Sequence, residues 1–383
     1  MKVLFGARLF DGDRFLDDRA LVVADGAIRA VVDVDERPRG GEQIDCGGGI
    51  LAPGLIDWQV NGGGGVLFNA EPTVEGIAAI ARAHRRAGVT GLLPTVVTDA
   101  PEVLAAALAA ARAAGGRVPG ALGVHVEGPF IDPRRPGIHP KQWIRPMREE
   151  DAEALIAGRA AVTLVTLAPA SVPLALVERL ANAGIVVSLG HTEATAEEAA
   201  AVFDAGARAA THLFNAMSQM TSRAPGVVGA ALADPRVVCG LIADGEHVHP
   251  AACRAAIAAK GAAGIALVSD AMPPAAGGPD AFALQGRRMT RVGMKLVDEN
   301  GTLAGSAITL ADAVRYAATI LRAPLASALA MATSTPARLL RVDDRIGRLG
   351  PGYEANLVHF GDDLALAGVW MAGRRLDEDG EPR

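Results

Sequence analysis

Between about residue 50 and residue 270 the chain alternates short, almost wholly apolar runs with longer segments rich in Ala, Arg and Glu. Runs near 50–58, 89–97, 121–127, 162–168, 184–189, 208–213, 236–243 and 264–269 have the length and continuity of strands buried on both faces. Eight such strands, with room for a helix between each pair, predict an α/β protein built on a (β/α)8 TIM-like barrel. The Ala-rich segment 105–114 reads as one of those helices, because Pro101 opens it and Gly115-Gly116 close it. Thr195 followed by Glu198 reads as a capping box at the start of another.

The two ends of the chain have a different texture. Lys2 to Phe5, Leu21 to Val23 and Ile28 to Val32 are short strand-like runs separated by Asp-Gly turns at 11–12 and 25–26. Ala355 to Phe360 and Gly368 to Met371 return to the same pattern and pair most economically with them. We therefore expect a small discontinuous β-sandwich domain from residues 1–48 and 345–383, a barrel over 49–344, and a β-hairpin insertion near 285–305 with an Asn-Gly turn at 300–301. A last helical region runs from about 309 to 340.

Composition narrows the functional classes. Of 383 residues, 50% are apolar and 21% charged, enough for a large core, and the net charge of −6 provides no field for nucleic acid or an anionic membrane surface. The chain shows no signal-peptide pattern and no apolar run of membrane-spanning length, and its three cysteines form no CxxC pair. These features predict a cytoplasmic protein with reduced thiols.

The candidate chemistry sits at the ends of the predicted strands. Gly123-Val-His-Val-Glu127 ends on a carboxylate, and Gly128-Pro129 stops the strand there. Ile185 to Gly190 ends at His191, Ala209 to Thr211 meets His212, and Ile265 to Ser269 ends at Asp270. Taken singly, each of these residues is more often structural than functional. Together they place one carboxylate, two imidazoles and a second carboxylate at the mouth where barrels keep their active sites. Glu127, His191 and His212 match the number and type of ligands that hold a catalytic divalent metal, most economically Zn2+, with Asp270 beside them as a proton acceptor and donor. Gln59 and Asn61 share one face of the first strand. Two histidines there would make a second metal site, whereas neutral amides suit hydrogen bonding to water or substrate, so one metal is expected. The lysines are Lys2, Lys141, Lys260 and Lys295, and none ends the fourth strand, which removes a bridging modified lysine. Gly62 to Gly65 lacks the Lys-Ser/Thr of a P-loop.

The motifs PGLIDWQVNG, GVHVEGPF, SLGHTEAT, THLFNAMS, ADGEHV, VSDAM and LAGS, in unbroken order from about Ile50 to Ser306, resemble those of the N-acetylglucosamine-6-phosphate deacetylases of the amidohydrolase superfamily. The resemblance implies a single metal on Glu127, His191 and His212, Asp270 as catalytic acid and base, and His139 against the reacting carbonyl. It also implies that Asn215, the Ala216 backbone amide, Arg223 and His247 hold the sugar and its phosphate, and that Arg223 reaches across a homodimer interface. N-acetylgalactosamine 6-phosphate is the alternative substrate, and a non-catalytic regulatory protein of the same fold the more distant one. Two positions depart from the pattern: Ala170, where relatives commonly carry Glu, and Asn356, in place of Asp in the tail motif.

Overall fold

A computed structural model describes residues 1–381. Eight parallel strands follow one another around the centre: β1 (Leu55–Val60), β2 (Val89–Val97), β3 (Gly123–Glu127), β4 (Val162–Leu167), β5 (Val186–Leu189), β6 (Ala209–Ala210), β7 (Val238–Leu241) and β8 (Ile265–Leu267). Each ladders with its sequence neighbour, and the intervening helices cover the outside. All eight strand ends that precede helices or active loops therefore open on one face. The strands are buried along nearly their whole length, which explains why they read as continuous apolar runs and not as alternating ones.

Closure between β1 and β8 is made beyond the regular ladder. Asp270 N donates to Gln59 O at 3.0 Å and Asn61 N to Ala271 O at 2.9 Å. The seam of the barrel thus runs directly past Asp270. The predicted strand over 50–58 proves to be two: Gly54 separates Ile50–Pro53, which joins a terminal sheet, from β1. A Cβ at Gly54 would lie 2.0 Å from Thr90 Oγ1, so the chain passes there only without a side chain.

That terminal sheet has six strands, in the order Arg374–Arg375, Leu366–Met371, Leu357–Phe360, Ile50–Pro53, Arg8–Phe10 and Phe15–Leu16. A second sheet orders Ala27–Asp33, Arg19–Ala24, Lys2–Phe5 and Glu42–Asp45. Leu4, Leu9, Leu21, Ile28, Leu51, Leu357 and Trp370 form a core common to strands of both sheets. The Asp25-Gly26 turn joins Arg19–Ala24 to Ala27–Asp33 with φ of +53° and +77°, the sign at both central residues that a two-residue hairpin of type I′ requires. Asn356 fits its place: its Oδ1 accepts from Ala372 N at 2.8 Å and its Nδ2 donates to Glu354 at 2.8 Å, so here an amide supplies both roles.

The insertion is larger than a hairpin. Ala281–Leu284, Arg287–Val292, Lys295–Val297 and Leu303–Ser306 form a four-stranded antiparallel sheet that packs Leu284, Met289 and Leu296 on Leu67, Val97, Ile138 and Met272 at the barrel mouth. The helical region after it breaks into Leu310–Thr319, Leu325–Ala330 and Ser334–Leu339. Thr195 and Glu198 make the reciprocal capping bonds expected of them, at 3.2 and 2.8 Å. Among the described residues no helix is long and apolar enough to cross a membrane.

Candidate metal centre and active site

Glu127 is the last residue of β3, His191 follows β5 by two residues, His212 follows β6 by two, and Asp270 follows β8 by three. The last three have φ of +48°, +32° and +51°. Left-handed backbone at a residue other than glycine costs on the order of 1–3 kcal/mol. It turns each chain sharply out of its strand and brings its side chain back over the barrel axis.

The side chains converge. His212 Nε2 is 2.9 Å from Glu127 Oε1 and 3.1 Å from His191 Nε2, and His191 Nε2 is 3.2 Å from Glu127 Oε1. Two ligands bound to one zinc ion at about 2.0–2.2 Å are themselves about 3 to 3.5 Å apart. This carboxylate and these two imidazoles therefore already have the spacing of a shared cation. His191 Nδ1 lies 2.9 Å from the Arg135 carbonyl, which fixes Nδ1 as the protonated nitrogen and leaves the Nε2 lone pair free for a cation, the support that histidine ligands usually have. His139 belongs to the same cluster, with ligand atoms of Glu127, His139 and His191 all within 4.8 Å of one another. All of these groups are buried.

Burial would raise the Glu127 carboxyl, but hydrogen bonds and charge from His191 and His212 hold it well below the usual carboxylate range. Burial would likewise lower His212, and the Glu127 carboxylate reverses this and carries it above the ordinary imidazole value. At His139 burial, reinforced by His191, outweighs the opposing pull of the Glu127 charge and holds the imidazole well below its ordinary value. Asp270 is pushed up to about 6, first by burial and then by the Glu127 charge.

The amides of β1 face these carboxylates. Asn61 Nδ2 donates to Asp270 Oδ1 at 2.6 Å, and Gln59 Nε2 lies 3.2 Å from the same oxygen and 3.3 Å from Glu127 Oε1. Gln59 is fully buried behind the two carboxylates and outside the pocket walls, while Asn61 reaches the wall. The pocket is a cleft of about 530 Å³ between the barrel mouth and the inserted sheet. His139, Asn215, Ala216 and His247 line it together with the four residues above, and Thr302 and Leu303 close it from the insertion. His247 Nδ1 is 2.6 Å from Asp244, and its buried Nε2 has no partner among the described residues. Arg134 and Arg135 form part of the rim, each engaged by a carboxylate, Asp132 and Glu193 respectively. Arg223 is exposed and lies outside the walls of this chain's own pocket.

His125 does not join the cluster of candidate ligands. It points into the barrel, 3.2 Å from Thr95 Oγ1 and 2.7 Å from Thr166 Oγ1, and burial pushes it down to about 4. Sequence reasoning missed Asp244 and Asp57. Asp57 precedes Gln59 by two residues on the same strand face, a signal that was available. Its carboxyl accepts from Gln59 N on its own strand at 3.2 Å and from Ser269 N across the β1–β8 seam at 3.3 Å, and burial raises it to about 7. A carboxyl raised from an unfolded value near 4 binds a proton in the native state that the unfolded chain has already lost, so stability falls as pH rises from about 4 to 7. Asp57→Asn removes this dependence. In urea unfolding at pH 5 and pH 8, the wild type minus variant difference should shift against the wild type by on the order of 2 kcal/mol at the higher pH. An unchanged difference would show that Asp57 is ionised throughout.

The amidohydrolase family matches residues 50–376, and the NagA composite domain matches residues 1–51. The chain is 44% identical over 329 residues to the N-acetylgalactosamine-6-phosphate deacetylase of Shewanella sp. (strain ANA-3), covering 86% of this chain and 83% of that one. It is 34% identical over 363 residues to the N-acetylglucosamine-6-phosphate deacetylase of Haemophilus influenzae, covering 94% and 95%. Among solved structures, the N-acetylglucosamine-6-phosphate deacetylase of Pasteurella multocida superposes with a TM-score of 0.94 at 33% identity, covering 97% and 98%. A Mycobacterium smegmatis N-acetyl-D-glucosamine-6-phosphate deacetylase mutant, in complex with N-acetyl-D-glucosamine 6-phosphate, superposes with a TM-score of 0.90 at 32% identity, covering 98% of each.

Proposed function

Because the chain belongs to the amidohydrolase family, we propose that it hydrolyses the acetamide of an N-acetylhexosamine 6-phosphate to the free amino sugar phosphate and acetate. The observation that carries this reading is the meeting of Glu127, His191 and His212 within 3.2 Å of one another, with Asp270 hydrogen-bonded to the amides of Gln59 and Asn61 beside them. Glu127, His191 and His212 would hold one divalent cation, Zn2+ being the natural match to one carboxylate and two imidazoles. When bound, such a cation polarises a carbonyl and brings the pKa of water from 15.7 to about 7.

The remaining work falls to side chains of this chain. Asp270, raised toward neutrality yet still able to ionise, accepts the proton of the attacking water and then delivers it to the departing amine nitrogen. His139 accepts from the Thr98 amide at Nδ1, so its proton is on Nε2, where it can donate to the acetamide oxygen as charge develops there. Asn215, the Ala216 amide and His247 hold the sugar and phosphate. Arg223 is brought to the phosphate by a second copy of the chain, since it lies outside its own pocket.

N-acetyl-D-glucosamine 6-phosphate is our first reading of the substrate, supported by the superposition on the Pasteurella and Mycobacterium enzymes. The galacto isomer is the second, favoured by the 44% identity to the Shewanella enzyme. Acetate release measured on both phosphates and on the unphosphorylated sugars separates them. The expected result is kcat/KM at least about tenfold higher for one phosphate than for its epimer, with Arg223→Ala raising KM only for phosphorylated sugars. No acetate from any of the four would end the deacetylase reading.

A further inference from the structure

His139 is held from outside the barrel, by the inserted sheet. Its Nδ1 accepts from Thr98 N at 3.3 Å and lies 2.7 Å from Thr98 Oγ1, so the position of Thr98 sets the position of the ring. Thr98 in turn is gripped by Gln285, whose Nε2 donates to the Thr98 carbonyl at 2.7 Å and to Asp99 Oδ2 at 2.9 Å. On the other flank, the carbonyl of Ile138, the residue before His139, accepts from Arg287 Nη2. Arg287 also faces Asp298 at 3.7 Å, and the Asp298 carboxylate accepts from the amides of Asn300 and Thr302 in the loop that closes the pocket.

Gln285 stands within one tight turn and Arg287 directly after it. Gln285 and Gly286 have φ of +49° and +79° and join Ala281–Leu284 to Arg287–Val292. A two-residue turn of this kind favours Asn, Asp or Gly at its first central position. A glutamine there is a local disadvantage, and its side chain is spent on the Thr98 carbonyl and Asp99, contacts the turn itself does not need. Leu284, Met289 and Leu296 seat the same sheet on Ile138 and Val97, so the grip is backed by packing.

We propose that Gln285 and Arg287 are positioning residues for His139, and that the inserted sheet is the clamp that sets this imidazole against the reacting carbonyl. The inference rests on the role given to His139 above. Gln285→Gly tests it, because glycine relieves the left-handed backbone while deleting the grip. The expected result is kcat lowered about tenfold, with KM within about twofold and a melting temperature no lower than that of the wild type. The 15N ring spectrum of the metal-free protein should show the wild-type His139 as one tautomer and the variant's as a mixture. Arg287→Met should lower kcat in the same direction. Unchanged kcat in both variants, or an unchanged ring spectrum, overturns the clamp. Should the wild type release no acetate from either sugar phosphate, the functional reading fails, and the ring spectrum still decides whether the clamp exists.

Discussion

Asp270→Asn is expected to lower turnover by about three to four orders of magnitude while the protein stays folded and binds its metal as before. Proton transfer by a positioned side chain contributes on the order of 10²- to 10⁴-fold, and in the proposed reaction one group serves both the attack and the departure of the amine. Asparagine keeps the shape, and its carbonyl oxygen can still accept from Asn61 Nδ2, now 2.6 Å from Asp270 Oδ1. What it cannot do is take a proton. The substitution also removes a carboxylate that burial and the Glu127 charge already push up to about 6, so folding stability should not fall. Acetate release and metal per chain, measured on the same preparation, check this. A variant within tenfold of the wild-type rate would mean that Asp270 only shapes the pocket.

The parts of this architecture that were legible in the sequence are those with local causes. A strand buried on both faces leaves a continuous apolar run, and a Gly-Pro pair or a polar residue at its end marks where it stops. Glu127, His191, His212 and Asp270 could therefore be placed at strand ends before any coordinates. Parallel strands then put all four on one face, so their convergence followed from topology. The inward direction of Gln59 and Asn61 was readable from the two-residue period, but their partners were not. Those partners, Glu127 and Asp270, meet β1 only through closure of the barrel, 68 and 209–211 residues away in the chain.

The features that escaped have no local pattern. Gln285 grips a carbonyl 187 residues away, and nothing in the residues around Thr98 signals that. The left-handed conformations at His191, His212 and Asp270 follow from tertiary packing, since their sequences contain no glycine at these positions. Ile50–Pro53 read as the start of β1 because apolar character does not distinguish a barrel strand from a strand of the adjoining sheet. Only Gly54, pressed against Thr90, marks the change. The four-stranded insertion was legible as a hairpin alone, because its first strand, Ala281–Leu284, is short and mostly partly exposed.

Glu127→Gln should abolish metal retention and with it nearly all activity, the largest loss expected of any single substitution in this chain. The carboxylate is the only anionic member of the three converging candidate ligands, and its Oε1 is the atom that both imidazoles approach, at 2.9 and 3.2 Å. An amide in its place offers a neutral oxygen, a much weaker ligand for a transition metal. Bringing the pKa of water from 15.7 to about 7 is equivalent to about 12 kcal/mol of preference for hydroxide, so turnover should fall by at least about 10⁴-fold even with traces of metal present. The fold should survive, because the buried charge is lost together with its need for a partner and His191 keeps its bond to the Arg135 carbonyl. Metal per chain by mass spectrometry should drop from about one to near zero. Added zinc should raise the melting temperature of the wild type and leave that of the variant where it is, since only a ligand that binds the native state stabilises it. In the wild type, metal affinity should also weaken from pH 8 to pH 6, because His212 is raised by Glu127 and must lose its proton before a cation can take its place. A variant that keeps a full complement of metal would place the cation on other side chains and dissolve the centre described here.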